Sequence, residues 1–71
     1  MNIKVDVERL KLKYKDIAAY FELVGEKPIN EKTFYNHKSR GLPKNKKHLQ
    51  IIYKSMCIYY SLKQEIIGLF G

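Results

Sequence analysis

From Val7 onward the apolar positions advance in steps of three and four: Val7, Leu10, Tyr14, Ile17, Ala18, Phe21 and Val24. That is the spacing of one helix face. Asp6 is suited to cap such a helix, because its carboxylate can accept from first-turn amides. Leu12 falls off the stripe, so two helices broken near Lys13 to Lys15 are expected rather than one. Before them NIKVDV, residues 2–7, alternates apolar and polar positions, the pattern of a short strand or an extended arm. Gly25 and Pro28 then mark a turn.

The stretch Ile29 to Pro43, INEKTFYNHKSRGLP, carries its own start and stop signals. Asn30 is a good N-cap. Ile29 before it and Phe34 after it have the spacing of a hydrophobic staple. Gly41 can take the left-handed conformation that ends a helix, and Pro43 prevents its continuation. A helix over 31–40 is predicted, with Phe34, part of Tyr35 and His37 as its apolar side. Lys32, Thr33, Asn36, Lys38, Ser39 and Arg40 are left to face outward. From His48 to about Ile67 no proline or glycine intervenes, which predicts one long final helix. One of its stripes holds Leu49, Ile52, Tyr53, Met56, Tyr59, Tyr60, Ile66, Ile67 and Phe70. A second holds Ile51, Ile58, Leu62 and Leu69. A helix apolar on nearly every side needs neighbours on nearly every side, and a chain of 71 residues cannot supply them all. The fold class is therefore all-α: one compact domain with a long C-terminal helix, part of which meets another chain.

Charge sharpens this picture. The net charge is +7, unevenly distributed. Between Glu31 and Glu65 there is no acid, and that stretch holds eight cations: Lys32, Lys38, Arg40, Lys44, Lys46, Lys47, Lys54 and Lys63. The remainder, with six cations and seven carboxylates, balances at −1. A basic block that coincides with an outward-facing helix and the loop after it favours a polyanionic partner. No apolar run reaches the length of a bilayer span. The N-terminus lacks the apolar core of a signal peptide, and the single Cys57 forms no internal disulfide, so a cytoplasmic protein is expected.

KDIAAYF, a turn, and INEKTFYNHKSRG together resemble the helix-turn-helix of small bacterial and phage transcription regulators of the repressor or excisionase type. The matching positions are a small Ala18 in the second helix, apolar Ile29, polar cap Asn30, Thr33, the anchor Phe34, and His37 where a large residue is usual. The resemblance covers roughly Tyr14 to Pro43. It implies that the third helix crosses the second closely at Ala18 and lies in the DNA major groove. One departure is a turn with about six additional residues, Leu23 to Pro28, either a loop or a longer second helix.

Other chemistry is sparse. His37, His48 and Cys57 are too few for a structural zinc site. His37 suits helix packing or a phosphate, and Cys57 suits a small residue between packed helices or an inert surface thiol. No glycine-rich phosphate loop, catalytic carboxylate pair or nucleophile triad is visible, so neither enzymatic activity, a cofactor nor a small-molecule substrate is expected. Tyr53, Tyr59 and Tyr60 sit at core spacing. The expected function is sequence-specific binding of double-stranded DNA by a homodimeric transcriptional regulator, a repressor of phage or mobile-element origin. Lys32, Thr33, Tyr35, Asn36, Ser39 and Arg40 are the candidates for base readout, with Asn36 matching adenine and Arg40 or Lys32 matching guanine. Lys38, Lys44, Lys46 and Lys47 are candidates for phosphate contact. Ile51, Ile58, Leu62 and Leu69 are candidates for the dimer interface. The main alternative is a small protein-binding module or inhibitor, docking on a host protein through its apolar C-terminal helix. RNA binding through the same basic face is a third.

Overall fold

Four helices, and among the described residues no strand, make up the computed structural model, which describes residues 3–70. They are α1 (Ile3–Arg9), α2 (Tyr14–Leu23), α3 (Glu31–Arg40) and α4 (Lys47–Phe70). The fully buried side chains Ile3 and Val7, Ile17 and Phe21, Phe34, and Tyr53 and Met56 come from all four, so each helix is anchored in one core. Burying such a side chain contributes about 1.5–3 kcal/mol, which is more than the local propensity of helices as short as α1 supplies.

The N-terminal segment differs from the expected strand or arm. It is helical from Ile3, and Asn2 lies outside the described residues. Ile3 and Val7, four apart, share a helix face and are both buried, so packing decides where six residues of alternation could not. Asp6 is accordingly not a cap but an interior residue of α1, paired with Arg9 at 3.5 Å.

The break between α1 and α2 is a Schellman turn. Lys11 stands in the left-handed region at φ 56°. The Lys11 N–H donates to Glu8 O at 3.2 Å and the Leu12 N–H to Val7 O at 3.0 Å. This motif seats an apolar residue just past the turn against the last helical turn, and Leu12 is buried in the cluster that holds Val7. The residue that fell off the stripe is thus part of the core. At the start of α2 the Asp16 carboxylate accepts from the Lys13 N–H at 2.8 Å. The lysine side chain has no acceptor with which to return the bond.

A second Schellman turn ends α2, with Gly25 at φ 76°. Here the Glu26 N–H donates to Phe21 O at 2.8 Å and the Gly25 N–H to Glu22 O at 3.0 Å. The extra residues after Leu23 are therefore a loop. It is held at both ends: His48 Nε2 lies 2.8 Å from Glu26 Oε1, and the Tyr14 hydroxyl donates to Ile29 O at 2.6 Å. With that loop in place, α3 makes its close backbone approach to α1 and not, as the helix-turn-helix resemblance implies, to α2. Between α2 and α3 the contact runs through side chains, Tyr14 against Phe34 with ring centroids 6.2 Å apart. Ala18, where that crossing was expected, is half-buried.

Polar bonds fix α4 on the other helices. The Tyr20 hydroxyl donates to Ser55 Oγ (2.8 Å), the Tyr60 hydroxyl to Asp16 O (2.6 Å) and Gln64 Nε2 to Leu10 O (2.7 Å). Past Gln64 the helix outruns its neighbours. Helices of seven and ten residues are about 10 and 15 Å long, against about 36 Å for α4. The broader stripe therefore packs as expected through Ile52, Tyr53, Met56 and Tyr60. Tyr59 is 37% exposed with its ring packed on Tyr20, and Ile66, Ile67 and Phe70 are exposed outright. Cys57 is buried between α4 and α1, where burial pushes its thiol above the ordinary range, with Asp6 adding and Arg9 opposing.

Candidate nucleic-acid interface

α3 is bounded by contacts within its own sequence. Asn30 Oδ1 accepts from the Thr33 N–H at 2.7 Å, and Asn30 O accepts the first helical bond from Phe34 N–H at 3.0 Å. Ile29 packs against the core cluster that includes Phe34. At the other end Gly41 takes φ 86° and ψ 172°, and its N–H donates to His37 O at 2.9 Å. The chain leaves α3 there, in a conformation open essentially to glycine alone.

Two residues anchor the helix. Phe34 is fully buried, and His37 Nδ1 lies 3.3 Å from the Tyr53 hydroxyl, the rings meeting edge to face. Burial first, and the charge of Lys46 second, hold the His37 imidazole below its ordinary pKa of 6.5. His37 is thus a packing residue whose burial favours the neutral imidazole.

At 3.6 residues per turn the side of α3 opposite Phe34 and His37 carries Lys32, Tyr35, Asn36, Ser39 and Arg40, all exposed. Among the described residues no side-chain hydrogen bond or ion pair occupies Lys32, Asn36 or Arg40, while Ser39 Oγ donates weakly to Asn36 O at 3.4 Å. Thr33 is set apart from this group. It is half-buried and lines a groove between α3 and the loop to α4, with Ile29, His37, Asn45, Lys46, Lys47 and Leu49. Lys44, also on that loop, is exposed. The loop is pinned by Gln50 Nε2 donating to Pro43 O at 2.8 Å and by Lys46 N–H donating to the same oxygen at 3.3 Å. Lys46 and Lys47 therefore have a defined place on one shoulder of α3.

On the other shoulder the sequence marks Lys38 alone. A second groove beside α3 is lined by Lys13 and Lys15 from the start of α2, by Lys38, which is half-buried, and by Leu12, Tyr14 and Tyr35. One carboxylate, Glu31, shares it. Lys13 and Lys15 lie outside the acid-free tract, in a half of the chain whose charges balance, so counting along the sequence hides them. Glu22 and Glu26 lie at the far end of α2, and the Asp16 carboxylate is engaged with the Lys13 N–H, while the two lysines stand beside α3. A polar, hydrogen-bonding helix face with a lysine shoulder on each side is an arrangement that can meet base edges in the centre and phosphates at the margins.

Ile51, Ile58, Leu62 and Leu69 lie away from this surface, all exposed along the outer side of α4. Among the described residues no group of three or more His, Cys, Asp or Glu is placed to hold a metal ion, and no helix is long and apolar enough to cross a membrane. Comparison with known proteins finds no matching family model, curated protein or solved structure.

Proposed function

We propose that this chain binds double-stranded DNA sequence-specifically as a homodimer and regulates transcription, with α3 as the helix that enters the major groove. The observation that carries this reading is the exposed face of Lys32, Tyr35, Asn36, Ser39 and Arg40 between two lysine shoulders. The major groove, about 12 Å wide, admits one α-helix, and its walls are the two phosphate backbones. Asn36 offers the paired donor and acceptor that match adenine, and Arg40 or Lys32 the donors that match guanine. Lys13, Lys15 and Lys38 on one side, and Lys44, Lys46 and Lys47 on the other, suit phosphates and set the register. A repressor of phage or mobile-element origin is the role we infer from the resemblance of Tyr14 to Pro43 to such regulators.

A gel-shift panel of the DNA upstream of its own gene, random duplex and structured RNA tests this. Tightest binding to the upstream DNA is expected. Replacing Lys46 and Lys47 with Ala should weaken binding to every duplex and flatten the salt dependence by about one unit of slope per lost phosphate contact. Replacing Asn36 or Arg40 should cost about 1–3 kcal/mol on the preferred site and leave random duplex nearly unchanged. Equal losses on both duplexes for both pairs would remove α3 as the reading helix.

A second reading draws on the apolar end of α4, where Leu69 and Phe70 are 81% and 88% exposed. It is a protein-binding module acting on a host protein. Sedimentation separates the two, because this reading requires a clean 8.4 kDa monomer at micromolar concentration with no affinity for DNA.

A further inference from the structure

We propose that the second copy lies antiparallel along the outer face of α4 in one register, with Ile58 on the partner's Leu62, Ile51 on the partner's Leu69, and Lys54 beside the partner's Glu65. This rests on the homodimer reading above and supplies its geometry. At 3.6 residues per turn, Ile51, Ile58, Leu62 and Leu69 project within about 20° of one line, on the side of α4 opposite the buried Tyr53 and Met56. They are 66%, 55%, 54% and 81% exposed. Lys54 and Glu65 both flank that line on the side facing α1, bordering an open groove whose far wall holds the Asp6–Arg9 pair.

Two ways of pairing this face by a two-fold axis differ in their charges. A parallel pair sets each residue level with its own copy but carries the Lys54 and Glu65 flank to the opposite side of the seam, where Ser55 and Ile66 of the copy stand, so neither charge finds an opposite charge beside it. In an antiparallel pair centred between Ile58 and Leu62, these two exchange partners and Ile51 reaches the partner's Leu69, so all four apolar residues find apolar partners at once. The same rotation carries one flank of α4 onto the same flank of its copy. Glu65 then falls about one residue rise, 1.5 Å, from the level of the partner's Lys54 and on its side. Ile66 falls beside the partner's Ser55 and Tyr59, while Ile67 and Phe70 point off the seam.

The register also places the proposed DNA-reading helices. α3 is fixed to α4 between the level of Leu49, across the shared groove, and that of Tyr53, through His37. Those levels and their two-fold copies are about 33 and 21 Å apart along α4, before any sideways offset. Half-sites one DNA turn apart need about 34 Å.

Spin labels read the register directly. A nitroxide on Lys47→Cys, in a Cys57→Ala background, should report about 39 Å or more between copies, the axial separation of that position in this register. Parallel pairing, with helix axes 8–10 Å apart, would give a distance below about 25 Å. Charge reversal supplies the second measurement. Lys54→Glu and Glu65→Lys should each raise the dimer dissociation constant about tenfold, since each converts two attractive pairs into repulsive ones. The double variant should return to within about threefold of the original protein. A short label distance, or a double variant weaker than either single, overturns this geometry while the dimer stands. An 8.4 kDa monomer at micromolar concentration overturns the dimer itself and this geometry with it.

Discussion

His37 shows how one side chain couples α3 to the core. It is 8% exposed, and its ring nitrogen faces the Tyr53 hydroxyl. Burial and Lys46 depress its pKa below 6.5, so in acid the unfolded chain takes up this proton before the folded one. Stability from the neutral imidazole is thus complete above pH 6.5 and falls as pH drops through that value towards the folded-state pKa. Thermal unfolding of the native protein and of His37→Phe between pH 7.5 and about 5 should show a shallower decline in the variant. The comparison concerns the slope with pH, since the variant also loses the bond to Tyr53. Parallel slopes would remove His37 as the titrating group.

At the scale of elements, the helix ends divide by how local their signals are. α3 begins and ends on contacts within four residues, Asn30 with Thr33 and Gly41 with His37. Its predicted bounds of 31–40 are therefore those observed. The end of α1 was hidden because a lysine, not a glycine, occupies the left-handed position. Side chains there cost roughly 1–2 kcal/mol. Lys11→Gly should accordingly raise stability by about 1 kcal/mol, read as a higher urea midpoint at unchanged slope. Gly41→Ala should lower it by about 1–3 kcal/mol. An added Cβ at Gly41 would meet nothing within 4 Å, so that loss is one of backbone conformation alone. Equal and small effects at both sites would show that the turns relax.

For the whole molecule the unresolved demand is the outer side of α4. Three shorter helices cover one side of a 24-residue helix and leave Ile51, Ile58, Leu62 and Leu69 in water along the other, besides Ile66 and Ile67 near its end. Ile58→Asp combined with Leu62→Asp should give a soluble monomer with unchanged helical circular dichroism, because both side chains are more than half exposed and the core does not use them. Its affinity for an inverted-repeat site should fall by about 100-fold or more, the loss expected when two linked contacts become independent. Retention of tight binding by that monomer would mean that one copy suffices.

The amino-acid sequence by itself determined what depends on neighbours along the chain. That comprises the all-helical character, the span of α3, and the two-sided pattern of α4, since caps, turns and helical periodicity act over four residues or fewer. Tertiary structure decided what depends on residues brought from far away. Ile3 and Val7 make a helix of a segment whose alternation suggests a strand, because they have a core to enter. Leu12 joins that core through the Lys11 turn. Lys13 and Lys15 reach the side of α3 only once α2 is docked. The close partner of α3 is α1, because a loop tied down by Tyr14 and by the Glu26–His48 pair sets the approach. The length of α4 left uncovered follows from the same cause: coverage is set by the lengths and angles of the helices packed against it, which no stretch of α4 encodes.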